Sequence, residues 1–131
     1  MKRPLLVERL VLAGGVFHTD GWLPGVLVAP DESQASGFER KLYAMHIRQP
    51  RLTRDDLATI RCRTLVMAGD DDEMDPEHTL ALYQGLPVGE LAIVPGTSHG
   101  FLVEKPDICN ALLLEFLTRD AVQTFAPIRR A

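Results

Sequence analysis

Two short stretches constrain this chain more than anything else in it: Gly69-Asp70-Asp71-Asp72-Glu73-Met74-Asp75-Pro76 and Gly96-Thr97-Ser98-His99-Gly100. Each follows an apolar run that reads as a buried strand, Thr64 to Ala68 in the first case and Leu91 to Val94 in the second. A third such run, Leu10 to Ala13, closes on Gly14-Gly15. Strands that are apolar nearly throughout belong in a parallel sheet covered on both faces. The C-terminal ends of parallel strands lie along one sheet edge, where open α/β sheets carry their sites. Asp72 and His99 both fall on that edge. An acid and a histidine meeting there can form the acid–base half of a nucleophilic catalytic triad.

The segments between the strands read as helices and turns. Thr53 is an N-cap with Asp56 three positions on. Asp75-Pro76-Glu77 is a strong helix opening, with an acid cap and proline in the first turn. That helix runs to about Leu86, with Leu80, Leu82, Tyr83 and Leu86 available for packing. Gly85 weakens its last turn and Pro87 stops it. Pro106 opens a final helix whose apolar face is Ile108, Leu112, Leu113, Phe116 and Leu117. Residues 97–103 read as a loop, and the tail after Thr118 is poorly patterned. Residues 16–53 are rich in turn formers and hold one helical patch, Phe38 to Ile47, in which Phe38, Leu42, Met45 and His46 share a face. The expected architecture is therefore α/β, a three-layer single domain over residues 1–131. Three parallel strands are flanked by helices, and 16–53 is a cap-like excursion.

Composition narrows the function. The net charge is −4 with acids and bases mixed, so no basic footprint for nucleic acid exists beyond the weak pair Arg129-Arg130. No apolar run approaches the ~18 residues of a membrane helix, and the Met1–Pro4 opening lacks a signal peptide's apolar segment. The expectation is a soluble, cytoplasmic protein that binds neither nucleic acid nor membrane. Cys62 and Cys109 have no metal-ligand or CxxC spacing, which predicts free thiols. The four histidines are scattered, and Gly14-Gly15 is no dinucleotide fingerprint, so no metal and no cofactor is expected.

With these residues in view, the chain resembles the α/β-hydrolase superfamily. Cys62 to Pro76 is similar to that family's penultimate strand and its Gly-x-x-Asp turn, followed by proline four residues after the Asp. Leu91 to Gly100 is similar to its last strand and histidine loop, and Glu104-Lys105-Pro106 with the closing helix fits as well. Pro4 to Gly15 is similar to the strand after the nucleophile helix. The resemblance covers nearly the whole chain but only the C-terminal half of the family's usual domain. The Gly-x-Ser-x-Gly elbow and the oxyanion-hole donors would lie upstream of Met1. Ser33, Ser36, Ser98, Cys62 and Cys109 are all misplaced for a nucleophile.

The resemblance implies that His99 shuttles the proton. An imidazole titrates near pH ~6.5 and can take a proton from a nucleophile and return it to a leaving group. Asp72 would accept the other imidazole N–H and fix the tautomer. Asp75 is better explained as a cap, and Asp70 and Asp71 as solvated turn acids. Acids so close together are expected to raise one another's pKa where desolvated. Phe17, His18, Trp22 and Leu23 either wall an apolar substrate pocket or pack the excursion onto the sheet, and Asp20 is an alternative acid. Two functions follow. One is the acid-and-histidine half of a hydrolase for an ester or related bond on a small apolar substrate, read from a truncated or split gene and inactive alone. The other is a non-catalytic module that pairs with a partner chain, or with a second copy, through the bare edge of the first strand.

Overall fold

A computed structural model describes residues 6–128. The Met1–Leu5 part of the N-terminal readings and the Arg129-Arg130 pair lie outside the described residues. Three strands, β1 (Arg9–Ala13), β2 (Arg63–Gly69) and β3 (Gly89–Val94), form one sheet in the order β1-β2-β3. Both pairings are parallel, with Val11 opposite Leu65 and Leu65 opposite Glu90. The fold class read from the apolar runs is the one observed.

Side chains of a strand alternate between faces, and the two cores follow that period. Val11, Leu65, Met67, Ala92 and Val94 point to one face. There they meet α4 (Phe101–Glu104) and α5 (Pro106–Thr118) through Phe101, Cys109 and Phe116. Leu12, Val66 and Leu91 point to the other face. They meet α2 (Arg54–Ala58) and α3 (Pro76–Gly85) through Leu57 and Leu82, with Leu86 just beyond α3. β2 is central and buried almost throughout, whereas no residue of β1 is fully buried. β1 pairs with a neighbour on one side only among the described residues.

The local signals explain the helix boundaries. Thr53 caps α2 in a reciprocal capping box with Asp56. Asp75 caps α3 by accepting the Glu77 N–H, with Pro76 in the first turn. At the end of α5, Arg9 and Arg63 both donate to the carbonyls of Phe116 and Arg119. Two cations thus answer the negative end of the helix dipole. The Arg63 guanidinium also lies 4.6 Å over the Phe116 ring and pairs with Glu90 on β3.

Several packing expectations need correction. Leu80 on α3 and Ile108 and Leu117 on α5 are exposed; Cys109, one position after Ile108, is the buried residue. Periodicity alone cannot tell which edge of a wide apolar stripe faces the sheet. Gly85 is a close-approach site: a Cβ there would stand 2.8 Å from the Leu57 side chain, so its small size lets α2 touch α3. The span 97–103 is not all loop: its last residues, from Phe101 on, belong to the helical turn α4, held down by the buried Phe101.

Within 16–53, α1 (Gly37–Arg48) opens on a capping box between Ser36 and Glu39. Its predicted face does not enter a core: Phe38, Leu42 and Met45 are exposed. The segment is tied on elsewhere. Single bridges join His18 to Arg51 and Trp22 to Met74, and Phe17 packs against the α2–α3 core. Among the described residues no helix is long and apolar enough to cross a membrane.

Candidate active site

The acid loop leaves β2 and the histidine loop leaves β3 at the same sheet edge, and a short ladder joins them. Asp71 N–H donates to the Thr97 carbonyl at 3.0 Å, and Thr97 N–H donates to the Asp70 carboxylate at 3.0 Å. Gly69 makes this approach possible, because a Cβ on it would stand 2.4 Å from the carbonyl oxygens of both Thr97 and Ser98. The glycine that ends β2 is therefore required by contact with the neighbouring loop.

The geometry brings Asp72 and His99 together. Asp72 Oδ1 lies 2.9 Å from His99 Nδ1, and its Oδ2 accepts the Gly69 N–H at 3.1 Å. The carboxylate is aimed from both ends, and the Asp72 side chain is only 2% exposed against 41% for His99. A buried acceptor on Nδ1 favours the tautomer that carries its proton there. Nε2 then keeps its lone pair, and it has no hydrogen-bond partner among the described residues. Gly14, at the end of β1, closes the third side. Its φ is +59°, and a Cβ there would come within 2.8 Å of the imidazole Cε1. All three strand ends thus contribute to one imidazole.

The other acids separate by environment. Asp75 is the α3 cap, as expected. Asp70 is more than a solvated turn acid, since it bridges the two loops. Its pKa is not raised by its neighbours but held below the usual carboxylate value, by backbone hydrogen bonds from Gly96 and then Thr97. Asp20, the alternative acid, lies instead with His18 at 2.7 Å and His78 at 3.7 Å. Of the four residues read as pocket wall or packing, Phe17 stacks on His78 and Trp22 meets the edge of His46. Leu23 N–H donates to the Glu73 carbonyl. These contacts favour packing of the excursion onto the acid loop. A separate apolar cavity of about 290 Å³ runs between α3 and β3, with Asp72, Met74, Leu80, Leu91 and Ile93 in its wall.

The three serines and the two cysteines are engaged or placed elsewhere. Ser33 bonds Asp31, Ser36 caps α1, and Ser98 donates to Glu104. Both cysteines are free; Cys109 is buried against the Phe101 carbonyl, and Cys62 precedes β2, at the opposite end from His99.

Sequence reasoning missed three contributors. Gly14 was legible only as a turn. Glu104 is legible as part of a motif, but its bonds to Ser98 are not. His78, on α3, accepts the Phe17 N–H at Nε2 and packs against Gly21, and nothing in its sequence context signals this.

No family model matches the chain. The fold does match solved structures. A thermophilic esterase superposes with a TM-score of 0.65 at 21% identity, over 88% of this chain and 58% of the esterase. The parallel sheet and its flanking helices are those of the C-terminal half of the α/β-hydrolase fold, and the sequence relatives place the chain in that superfamily. Among individual relatives, it is 43% identical over 68 residues to a protein provisionally named carbamate hydrolase RutD from Caulobacter sp. (strain K31). That match covers 51% of this chain and 25% of the relative. It is 33% identical over 91 residues to the provisionally named protein-lysine deacylase ABHD14B of Rattus norvegicus, over 70% of this chain and 41% of the relative. The chain thus spans about a quarter to two-fifths of the length of these relatives.

Proposed function

We propose that this chain supplies the acid and the histidine of an α/β-hydrolase site. Asp72 orients and balances the charge of His99, and His99 Nε2 takes the proton of a nucleophile and delivers it to the leaving group. The observation that carries this reading is the 2.9 Å contact between the buried Asp72 carboxylate and Nδ1 of the partly exposed His99. The reaction class is hydrolysis of an ester or related bond in a small apolar substrate through a covalent intermediate. No serine in these 131 residues stands in a Gly-x-Ser-x-Gly elbow, so the nucleophile comes from outside them. The free thiols favour a reducing, cytoplasmic setting.

The test is hydrolysis of an aryl acetate by the purified chain, with His99→Ala alongside. Both should run at the buffer rate. Turnover abolished by His99→Ala would show that a nucleophile resides within the chain and overturn that part of the proposal. The acid–histidine pair is tested without activity, through the Nδ1-bound imidazole proton of His99 in an NMR spectrum. Asp72→Asn should abolish its downfield, slowly exchanging resonance.

A second reading rests on β1. In a parallel pair alternate residues face the partner strand, so half of the β1 backbone groups point away from β2. This open edge suits pairing with a partner chain or a second copy. A clean monomer by light scattering at high concentration counts against it.

A further inference from the structure

Loop residues are mobile unless something ties them down, and a general base must be held within about 0.5 Å of its working position. Asp72 fixes only the Nδ1 edge of the His99 ring. The backbone that carries the ring needs its own brace, and that brace comes from α4. Phe101 is buried beneath this short helix, and the chain enters it directly from the histidine loop, with Phe101 N–H donating to the Ser98 carbonyl. Glu104, at the far end of α4, reaches back over the loop. Its Oε2 accepts the Ser98 N–H at 2.8 Å, and its Oε1 accepts the Ser98 hydroxyl at 2.5 Å. The Ser98 Oγ in turn accepts the Gly100 N–H at 3.2 Å. Both neighbours of His99 are therefore tied to one carboxylate, directly or through one hydroxyl. The upstream side is held by Asp70 on Thr97, and by Lys105, whose ammonium donates to the Pro95 carbonyl.

We infer that Glu104 is a positioning residue for His99, acting through Ser98 to hold the imidazole against Asp72. This rests on the reading of Asp72 and His99 as a working pair. Glu104 makes its hydrogen bonds to Ser98 and none to the ring itself, so its effect travels through the Ser98 and Gly100 backbone. Those bonds also favour its ionised form: the Ser98 hydroxyl and then the Ser98 N–H hold the Glu104 carboxyl below its ordinary pKa.

The experiment measures solvent exchange of the His99 Nδ1 proton in the isotope-labelled chain. Glu104→Ala removes both acceptors and should speed exchange by about tenfold or more, the loss expected for a charge-assisted hydrogen bond. Glu104→Gln keeps the shape; its carbonyl can accept the Ser98 N–H and its amide can donate to Oγ. Exchange should stay within about twofold of wild type, since neutral bonds are weaker but the geometry persists. Ser98→Ala leaves Glu104 in place and cuts only the hydroxyl arm, so an intermediate rate is expected even if Glu104→Ala does not fold. Wild-type exchange in Glu104→Ala, or in Ser98→Ala where Glu104→Ala does not fold, overturns the inference. Equal acceleration in Glu104→Gln and Glu104→Ala also overturns it, by assigning the effect to charge rather than position. Asp72→Asn separates the two levels. If it leaves the resonance unchanged, the pair itself is wrong; if it abolishes the resonance while Glu104→Ala does not disturb it, only the role of Glu104 fails.

Discussion

Residues 63–118 and residues 16–53 solve opposite problems. In the first block every element buries a face, and its two loops are laced together by hydrogen bonds that join Asp70 and Asp71 to the Thr97 backbone and Asp72 to the His99 ring. In the second, α1 is well capped yet exposes Phe38, Leu42, Met45 and Ile47. The segment is fastened at points, through Phe17, Trp22 and Leu23, rather than over a surface. Good local signals are enough to start a helix in either block, but only the first has a sheet face to receive one. The acid–histidine geometry is a product of that packed block, and the excursion leans on it.

The largest effect that sharpens this contrast is a pair of phenylalanine truncations. Phe116 is 2% exposed under the Arg63 guanidinium, so Phe116→Ala should cost about 3–5 kcal/mol in chemical denaturation. Phe38 is 73% exposed, and Phe38→Ala should stay within about 0.5 kcal/mol. Similar losses at both sites would mean that α1 is packed against something and that the contrast fails.

Next comes glycine. Gly69→Ala drives a methyl into the Thr97 and Ser98 carbonyls, and backbone atoms cannot swing away as a side-chain tip can. Overpacking of this kind costs about 1–3 kcal/mol and should displace the His99 imidazole resonance as well. At Gly37, in the first turn of α1, nothing lies within 4 Å of a new methyl. Gly37→Ala should leave denaturation unchanged or slightly strengthened. An unaffected Gly69→Ala protein would remove the close contact between the two loops.

These sites also show what the sequence can and cannot disclose. The strands were legible because burial on both faces demands unbroken apolar runs, and the α2 and α3 starts because caps are local chemistry written in adjacent residues. Asp72 and His99 were legible because parallel strands must bring their C-terminal ends to one edge. The residues that brace this pair were not. Gly14, Asp70 and Glu104 act on it across loops, and their residue types fit any turn equally well. The exposed face of α1 shows the converse: an amphipathic spacing says that a helix has an apolar side, and nothing about whether a partner surface exists.

The two capping boxes offer a subtler comparison. Thr53→Ala and Ser36→Ala each remove one side-chain acceptor from a helix start, worth about 1 kcal/mol to the helix concerned. α2 carries the buried Leu57, so the Thr53→Ala loss should appear in global unfolding. α1 buries no residue, so the Ser36→Ala loss should appear as faster amide exchange within α1 and little change in the global midpoint. Equal global losses would show that α1 unfolds with the sheet.

The smallest effect concerns the fastening of the excursion to α3. His78 Nε2 accepts the Phe17 N–H at 3.2 Å and the ring stacks on Phe17 at 4.2 Å, an arrangement that needs an unprotonated Nε2. Burial holds the His78 pKa below its ordinary 6.5, opposed by the nearby Asp20 and Asp75 carboxylates and reinforced by His18. A base whose folded pKa is depressed takes its proton more readily unfolded. Attachment of the segment is therefore complete above pH 6.5 and weakens as pH falls from there toward the folded value. The Phe17 amide should lose protection, relative to its intrinsic exchange rate, between neutral pH and pH ~5, while amides of β2 hold theirs. His78→Phe keeps a stacking ring but cannot titrate, so Phe17 protection should then be lower at neutral pH and flat across this range. A Phe17 amide equally protected at both pH values in the unsubstituted chain would show that this contact does not govern how the excursion is held.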